Sequence, residues 1–114
     1  MAKRVLEVSE ETYQKIKEQL DKEDVKDISA LDELVGGNYF FRAVTYHLVG
    51  KVTRKIGNIV KLEEASWIPD SGRFMQFIKN GTINECEPVG VVYLNLDSVV
   101  DFYPWVHELP KDQK

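Results

Sequence analysis

VVYLNLDSVVDFYP, residues 91–104, reads as two short strands around one tight turn. Residues 91–96 and 99–103 are rich in β-branched and aromatic side chains, which suit a pleated, half-buried surface. Asp97-Ser98 supplies the turn, and Pro104-Trp105 closes the second strand. A strand pair this short cannot bury a core alone, so more strands must precede it.

They do. Residues 59–65 read as a strand with Val60 and Leu62 on one face, and Gly57-Asn58 before them is a tight-hairpin signal. Residues 51–56 alternate with charged side chains, as an exposed strand does. Residues 39–48 read as one central strand: Tyr39, Phe41, Ala43, Thr45 and His47 share one face, Phe40, Arg42, Val44, Tyr46 and Leu48 the other. Gly50 marks a bend or bulge. Between the strands lies an insert, residues 67–88 (WIPDSGRFMQFIKNGTINECEP). Phe74, Phe77 and Ile78 stand at helical spacing, which predicts a short helix over 70–81. Asp70 or Ser71 is its expected N-cap and Asn80-Gly81 its stop.

The first third of the chain differs in character. Ser9 is a good N-cap, and Val8 and Tyr13 occupy the positions of a hydrophobic staple. With Ile16 and Leu20 these predict a helix over 9–20 with a narrow apolar stripe. Residues 21–37 are a charged connection with a helical turn near 29–35, ended by Gly36-Gly37. The tail, residues 111–114, is expected to fray.

The chain has 114 residues, enough for one domain, spanning 1–114, with one modest core; residues 38–110 carry the strands and the insert. Its net charge of −4 gives no general attraction to duplex nucleic acid or to an anionic membrane. No apolar run reaches the roughly 18 residues of a membrane span, and no secretory signal follows the first basic residues. A single cysteine, Cys86, excludes an intrachain disulfide. A cytoplasmic protein is expected.

The fold class is α+β: a small five-stranded antiparallel barrel with an N-terminal helix and a helical insert. In strand order it resembles the SH3-like and Sm-like barrels, in which a long bent strand pair precedes two short strands joined by a very short turn. That resemblance covers residues 39–104 without the insert. Separately, TYH (45–47), LEEASWI (62–68), DSGRF (70–74), NGTINECEP (80–88) and PWVHELP (104–110) resemble a group of small phage, prophage and bacterial proteins. This second resemblance implies a mobile-element setting, in the host cytoplasm if phage-encoded, where small proteins often inhibit host defences or bind their signals.

Catalytic groups are sparse. No serine sits in a nucleophile elbow, and Cys86, although it could pair with His47 or His107, reads better as a small, partly buried residue. Two histidines 60 positions apart match no metal-ligand spacing, so neither metal nor cofactor is expected. Glu85 and Glu87 flank Cys86 and point the same way in an extended segment; a salt bridge to Arg42 or Arg73 is the expected use. Gly72 and Arg73 at the start of the short helix could take a phosphate, although an ordinary cap uses the same donors. Tyr46 beside Arg42, with Trp67, could stack on a base.

The expected protein is therefore a non-catalytic binder of a small nucleotide-type ligand, such as a phage counter-defence protein that sequesters a signal. The ligand site would comprise Arg73, Trp67, Arg42, Tyr46, Gly72 and Glu87. The alternative is a protein-binding module, either an inhibitor of a host enzyme or a minor phage structural component. A homo-oligomer is expected from open strand edges, with Trp105 as an interface residue.

Overall fold

The computed structural model describes residues 27–114. The helix expected over 9–20 lies outside the described residues. The charged connection ends in a 3-10 turn, Leu31–Leu34, whose Leu34 is fully buried. Five strands follow: β1 Asn38–Ala43, β2 His47–Ile56, β3 Ile59–Asp70, β4 Glu85–Asn95 and β5 Val99–Pro104. Helix α1, Phe74–Asn80, joins β3 to β4, and a 3-10 turn, Leu96–Ser98, joins β4 to β5.

All pairings are antiparallel, in the order β4-β3-β2-β1-β5. Every neighbouring pair except β1–β5 is joined by a direct connection, so the last strand returns to lie beside the first. Side chains from all five strands, including Phe41, Leu48, Val60, Leu94 and Phe102, meet in one inner cluster under Leu34. That convergence requires the sheet to curl around its own face. A hydrogen bond from Asn58 to Asp97 (3.0 Å) and another from the Leu96 N–H to the Asn58 carbonyl (2.8 Å) tie the β2–β3 turn to the β4–β5 turn.

Gly50 assists the curl. A Cβ there would lie 3.1 Å from both Cα and Cβ of Ala65, so only glycine lets β2 run this close to β3. The register slips on both strands at this point, between Val49 and Lys51 and between Leu62 and Ala65. Bulges of this kind bend a strand and raise its twist.

The outer face is also covered. Phe40, Val49, Ile68, Phe77, Cys86 and Trp105 form a second buried cluster, flanked by Phe74, Ile78, Ile83, Tyr103 and Leu109. Thus α1 and the segment after β5 pack against the back of the sheet. Phe77 provides the helix's buried contact, with its ring 4.6 Å from Phe40 and 4.8 Å from Trp105.

Several boundaries differ from the sequence reading. Residues 39–48 are not one strand: the chain turns at Val44-Thr45-Tyr46, closed by an Ala43 N–H bond to the Tyr46 carbonyl (2.9 Å), and β2 begins at His47. With no glycine or proline at the turn, local chemistry gave no sign of it. Helix α1 starts at Phe74 rather than Asp70, because β3 continues to Asp70 and Arg73 occupies the N-cap position without a side-chain cap bond. The stop at Gly81 is as expected: φ is +75°, and its N–H reaches the Phe77 carbonyl at 2.9 Å. The tail is paired, not frayed. Lys114 exchanges both backbone hydrogen bonds with Cys86 (2.9 and 3.2 Å), which adds a short bridge beside the start of β4.

Candidate functional site

Arg42 lies opposite Asp101 in the β1–β5 register and opposite His47 in the β1–β2 register. Its Nε donates to Asp101 Oδ1 at 2.7 Å, and its Nη2 pairs with Asp101 Oδ2. The Tyr103 hydroxyl donates to the same Oδ2 at 3.2 Å. The guanidinium also lies 4.9 Å above the Phe74 ring. These contacts raise the arginine's pKa further and hold Asp101 below the usual carboxylate range, chiefly through their mutual hydrogen bond. Burial, with Arg42 nearby, pushes the His47 pKa down. Arg42 is thus engaged through Nε and Nη2, and its charge ties β1, β5 and α1 together.

The other expected ligand residues are not brought to one place. Tyr46 sits in the β1–β2 turn and is 39% exposed, not on Arg42's strand face. Trp67 pairs in register with Leu48, an inner-cluster residue, whereas Arg42 shares its strand face with Phe40 of the outer cluster. Trp67 and Arg42 therefore belong to opposite faces of the sheet. Glu87 pairs in register with Trp67 and is exposed, and neither it nor Glu85 forms an ion pair among the described residues. The expected bridge from that pair to Arg42 is absent among the described residues, and Arg42 pairs with Asp101 instead.

The Asp70-Ser71-Gly72-Arg73 segment is a turn with its own internal bonds. Asp70 Oδ1 accepts from the Gly72 N–H (2.8 Å), and Oδ2 accepts from the Asn84 amide (3.3 Å). Gly72 adopts φ of +76°, and a Cβ there would come 3.0 Å from the Asn84 side chain. Its glycine serves the turn and the close approach of Asn84. Arg73 is exposed and has no ion pair among the described residues.

Cys86 is 2% exposed, its thiol donates to the Asp112 carbonyl at 3.3 Å, and burial pushes its pKa up. Each of these opposes thiolate formation. His107 is spent on the Ile78 carbonyl at 2.8 Å, and Trp105, 4% exposed, belongs to the core rather than an interface. Among the described residues no group of three His, Cys, Asp or Glu side chains is placed to hold a metal ion. None of their helices is long and apolar enough to cross a membrane.

Sequence reasoning expected open strand edges but did not name the residues that line them. Among the described residues β4 has one neighbour, β3, and β5 has one, β1. Along β4, Val89, Val91 and Tyr93 alternate outward and are 48%, 54% and 60% exposed, while Val92 and Leu94 turn inward. On β5, Val100 is 66% exposed. The signal was present as an apolar residue at every position of VGVVYL except the glycine, too apolar for a strand with one wet face.

No protein-family model matches the chain, and no curated protein matches it. Among solved structures it is similar to a heptameric archaeal Sm protein, with 14% identity over 63% of this chain and 90% of that one, at a TM-score of 0.46. It is similar to the Pyrococcus abyssii Sm protein solved with a uridine heptamer, with 14% identity over 63% and 87% of the two chains and a TM-score of 0.44. It is also similar to a chain in the crystal structure of the NatC complex bound to CoA, with 16% identity over 68% and 86% and a TM-score of 0.47. The likeness is one of strand arrangement.

Proposed function

We propose that the protein is a non-catalytic binding module that works as a self-associated assembly, joined edge to edge through β4 and β5. The observation that carries this is the outward row Val89, Val91 and Tyr93 on a strand with one neighbour among the described residues. A long, apolar, unpaired edge is a template for another strand, and natural proteins either blunt such edges or use them. Here the first part of β4 is blunted. Lys114 covers Cys86, Pro88 offers no N–H, and Gly90 (φ +86°) breaks the ladder where the register slips. Residues 91–95 carry no such device. The β5 edge, with Val100 exposed, is its complement. Pairing one copy's β4 with the next copy's β5 uses two different edges, a head-to-tail contact that closes into a ring when the rotation allows.

Sedimentation velocity tests this. The wild type is expected to sediment as a closed oligomer and Val91→Lys as a monomer with unchanged circular dichroism. A wild type that stays monomeric at tens of micromolar, roughly where specific contacts of standard size form, overturns it.

A second reading keeps the small nucleotide-type ligand, and with it a role as a counter-defence sponge in the phage setting implied by the sequence resemblance. It rests on Arg73, exposed and without an ion pair among the described residues, and on Trp67, 39% exposed. Thermal shift with cyclic and linear nucleotides separates it from the first: a rise lost in Arg73→Ala favours it, and no rise at millimolar ligand removes it.

A further inference from the structure

A cleft of about 410 Å³ opens where the two bulges meet the tail. It is lined by Gly36, Asn38, Lys51, Glu64, Trp105, Glu108, Leu109 and Lys111. Three features set it apart from an ordinary surface groove.

The first is backbone strain. Glu64, with φ of +52°, is the only non-glycine among the described residues in the left-handed region. A bulky residue there costs of the order of 1 kcal/mol, and such outliers gather where a side chain must be aimed. Glu64 lies within the register slip between Leu62 and Ala65, beside the close passage of β2 at Gly50, and lines the cleft.

The second is unspent charge. Nearby surface lysines find partners, Lys55 with Asp32 and Lys61 with Glu63. Glu63 is also taken by Thr53, so Lys51, its register partner, is left without it. Lys51, Lys111, Glu64 and Glu108 line one cleft, yet none of the four forms an ion pair or a side-chain hydrogen bond among the described residues. The third is a fixed frame. Trp105 is buried with its Nε1 held by the Glu108 carbonyl at 3.1 Å. The tail carrying Lys111 is pinned by the Lys114–Cys86 bridge and by the Cys86 thiol on Asp112.

Two cations and two anions around one cavity match a ligand that carries one charge of each sign and is neutral overall. A phosphate monoester would face two carboxylates, and a polyamine two ammonium groups. The volume suits a free amino acid or a dipeptide. We propose that this cleft binds a small zwitterion of that class, with the ligand carboxylate on Lys51 and Lys111 and its ammonium on Glu64 and Glu108. The Asn38 side chain supplies a neutral hydrogen bond between them. This site is separate from the β4 and β5 edges, so it stands or falls independently of self-association.

Isothermal titration calorimetry of the full chain tests it. The probes are the protein amino acids and alanyl-alanine, with N-acetylalanine methylamide and adenosine monophosphate as controls. The expected result is saturable heat with at least one zwitterion and none with either control. Glu64→Gly relieves the strained φ while removing the carboxylate, so it should raise or keep the melting temperature and weaken binding by about tenfold, the loss of one charge-assisted hydrogen bond. Lys111→Ala, in an exposed part of the tail, should weaken it similarly. No saturable heat with any zwitterion overturns the proposal. So does equal binding by the capped compound, a response to the nucleotide alone, or undiminished affinity in Glu64→Gly.

Discussion

Arg42 and Asp101 stand opposite one another across the β1–β5 ladder, and their side chains form a two-pronged ion pair capped by the Tyr103 hydroxyl. This pair joins the last strand to the first, and it engages the arginine that the sequence offered to a ligand. Both side chains are about one third exposed (36% and 34%), so solvent screening limits what the pair contributes.

Asp101→Asn should cost about 1 kcal/mol at neutral pH, the upper end for a partly exposed pair. The pH dependence has a definite sign. Asp101 is held below its ordinary value of 3.8 in the fold, so its contribution is present above that value. The contribution is lost as pH falls through the folded value. Urea unfolding of wild type and Asp101→Asn should therefore differ at neutral pH and converge in strong acid. A constant difference across the range would contradict the assignment.

Gly81 is needed twice over. Its φ is +75°, and a Cβ there would lie 2.7 Å from the His107 ring, which is itself fixed on the Ile78 carbonyl. Gly81→Ala should destabilise by roughly 1–3 kcal/mol through the disfavoured φ and the displaced ring. Chemical denaturation checks this, and a neutral substitution would mean that α1 ends differently.

Phe77 is α1's fully buried side chain, in contact with Phe40 and Trp105. Phe77→Ala should cost roughly 3–5 kcal/mol, as aromatic deletions in a packed core do. Because the same cluster seats the tail over Cys86, the variant should also make that thiol easier to label.

Burial raises the Cys86 thiol above its ordinary value of 9.0, and the tail covers it. In native protein at mildly alkaline pH, a disulfide reagent should react far more slowly than in urea. Rapid native labelling would mean that the 111–114 segment does not hold its place.

The sequence carried the strand count, the α1 anchor residues and the glycine stop, because each rests on local periodicity or on a backbone requirement that one residue type satisfies. VVYLNLDSVVDFYP splits into β4, a 3-10 turn and β5 much as its pattern suggests. The β1–β2 turn was hidden because Val44-Thr45-Tyr46 has strand-like composition, and only the Ala43–Tyr46 bond reveals the reversal. The site was less legible still. Arg42 and Tyr46 looked like neighbours on one strand, and the turn separates them. Asp101 lies 59 positions from Arg42, a pairing that register decides and composition does not. Likewise nothing local marks Lys111 as a neighbour of Glu64; the tail's return along the sheet brings them to one cleft.

The self-association account is tested most directly by amide hydrogen exchange along residues 91–95 at several protein concentrations. These backbone groups border an edge with no strand beside it among the described residues of a single copy. If β4 receives a strand from a second molecule, their protection should rise with concentration and disappear in Val91→Lys. Exchange that is equally fast at every concentration, and the same in Val91→Lys, would contradict the account.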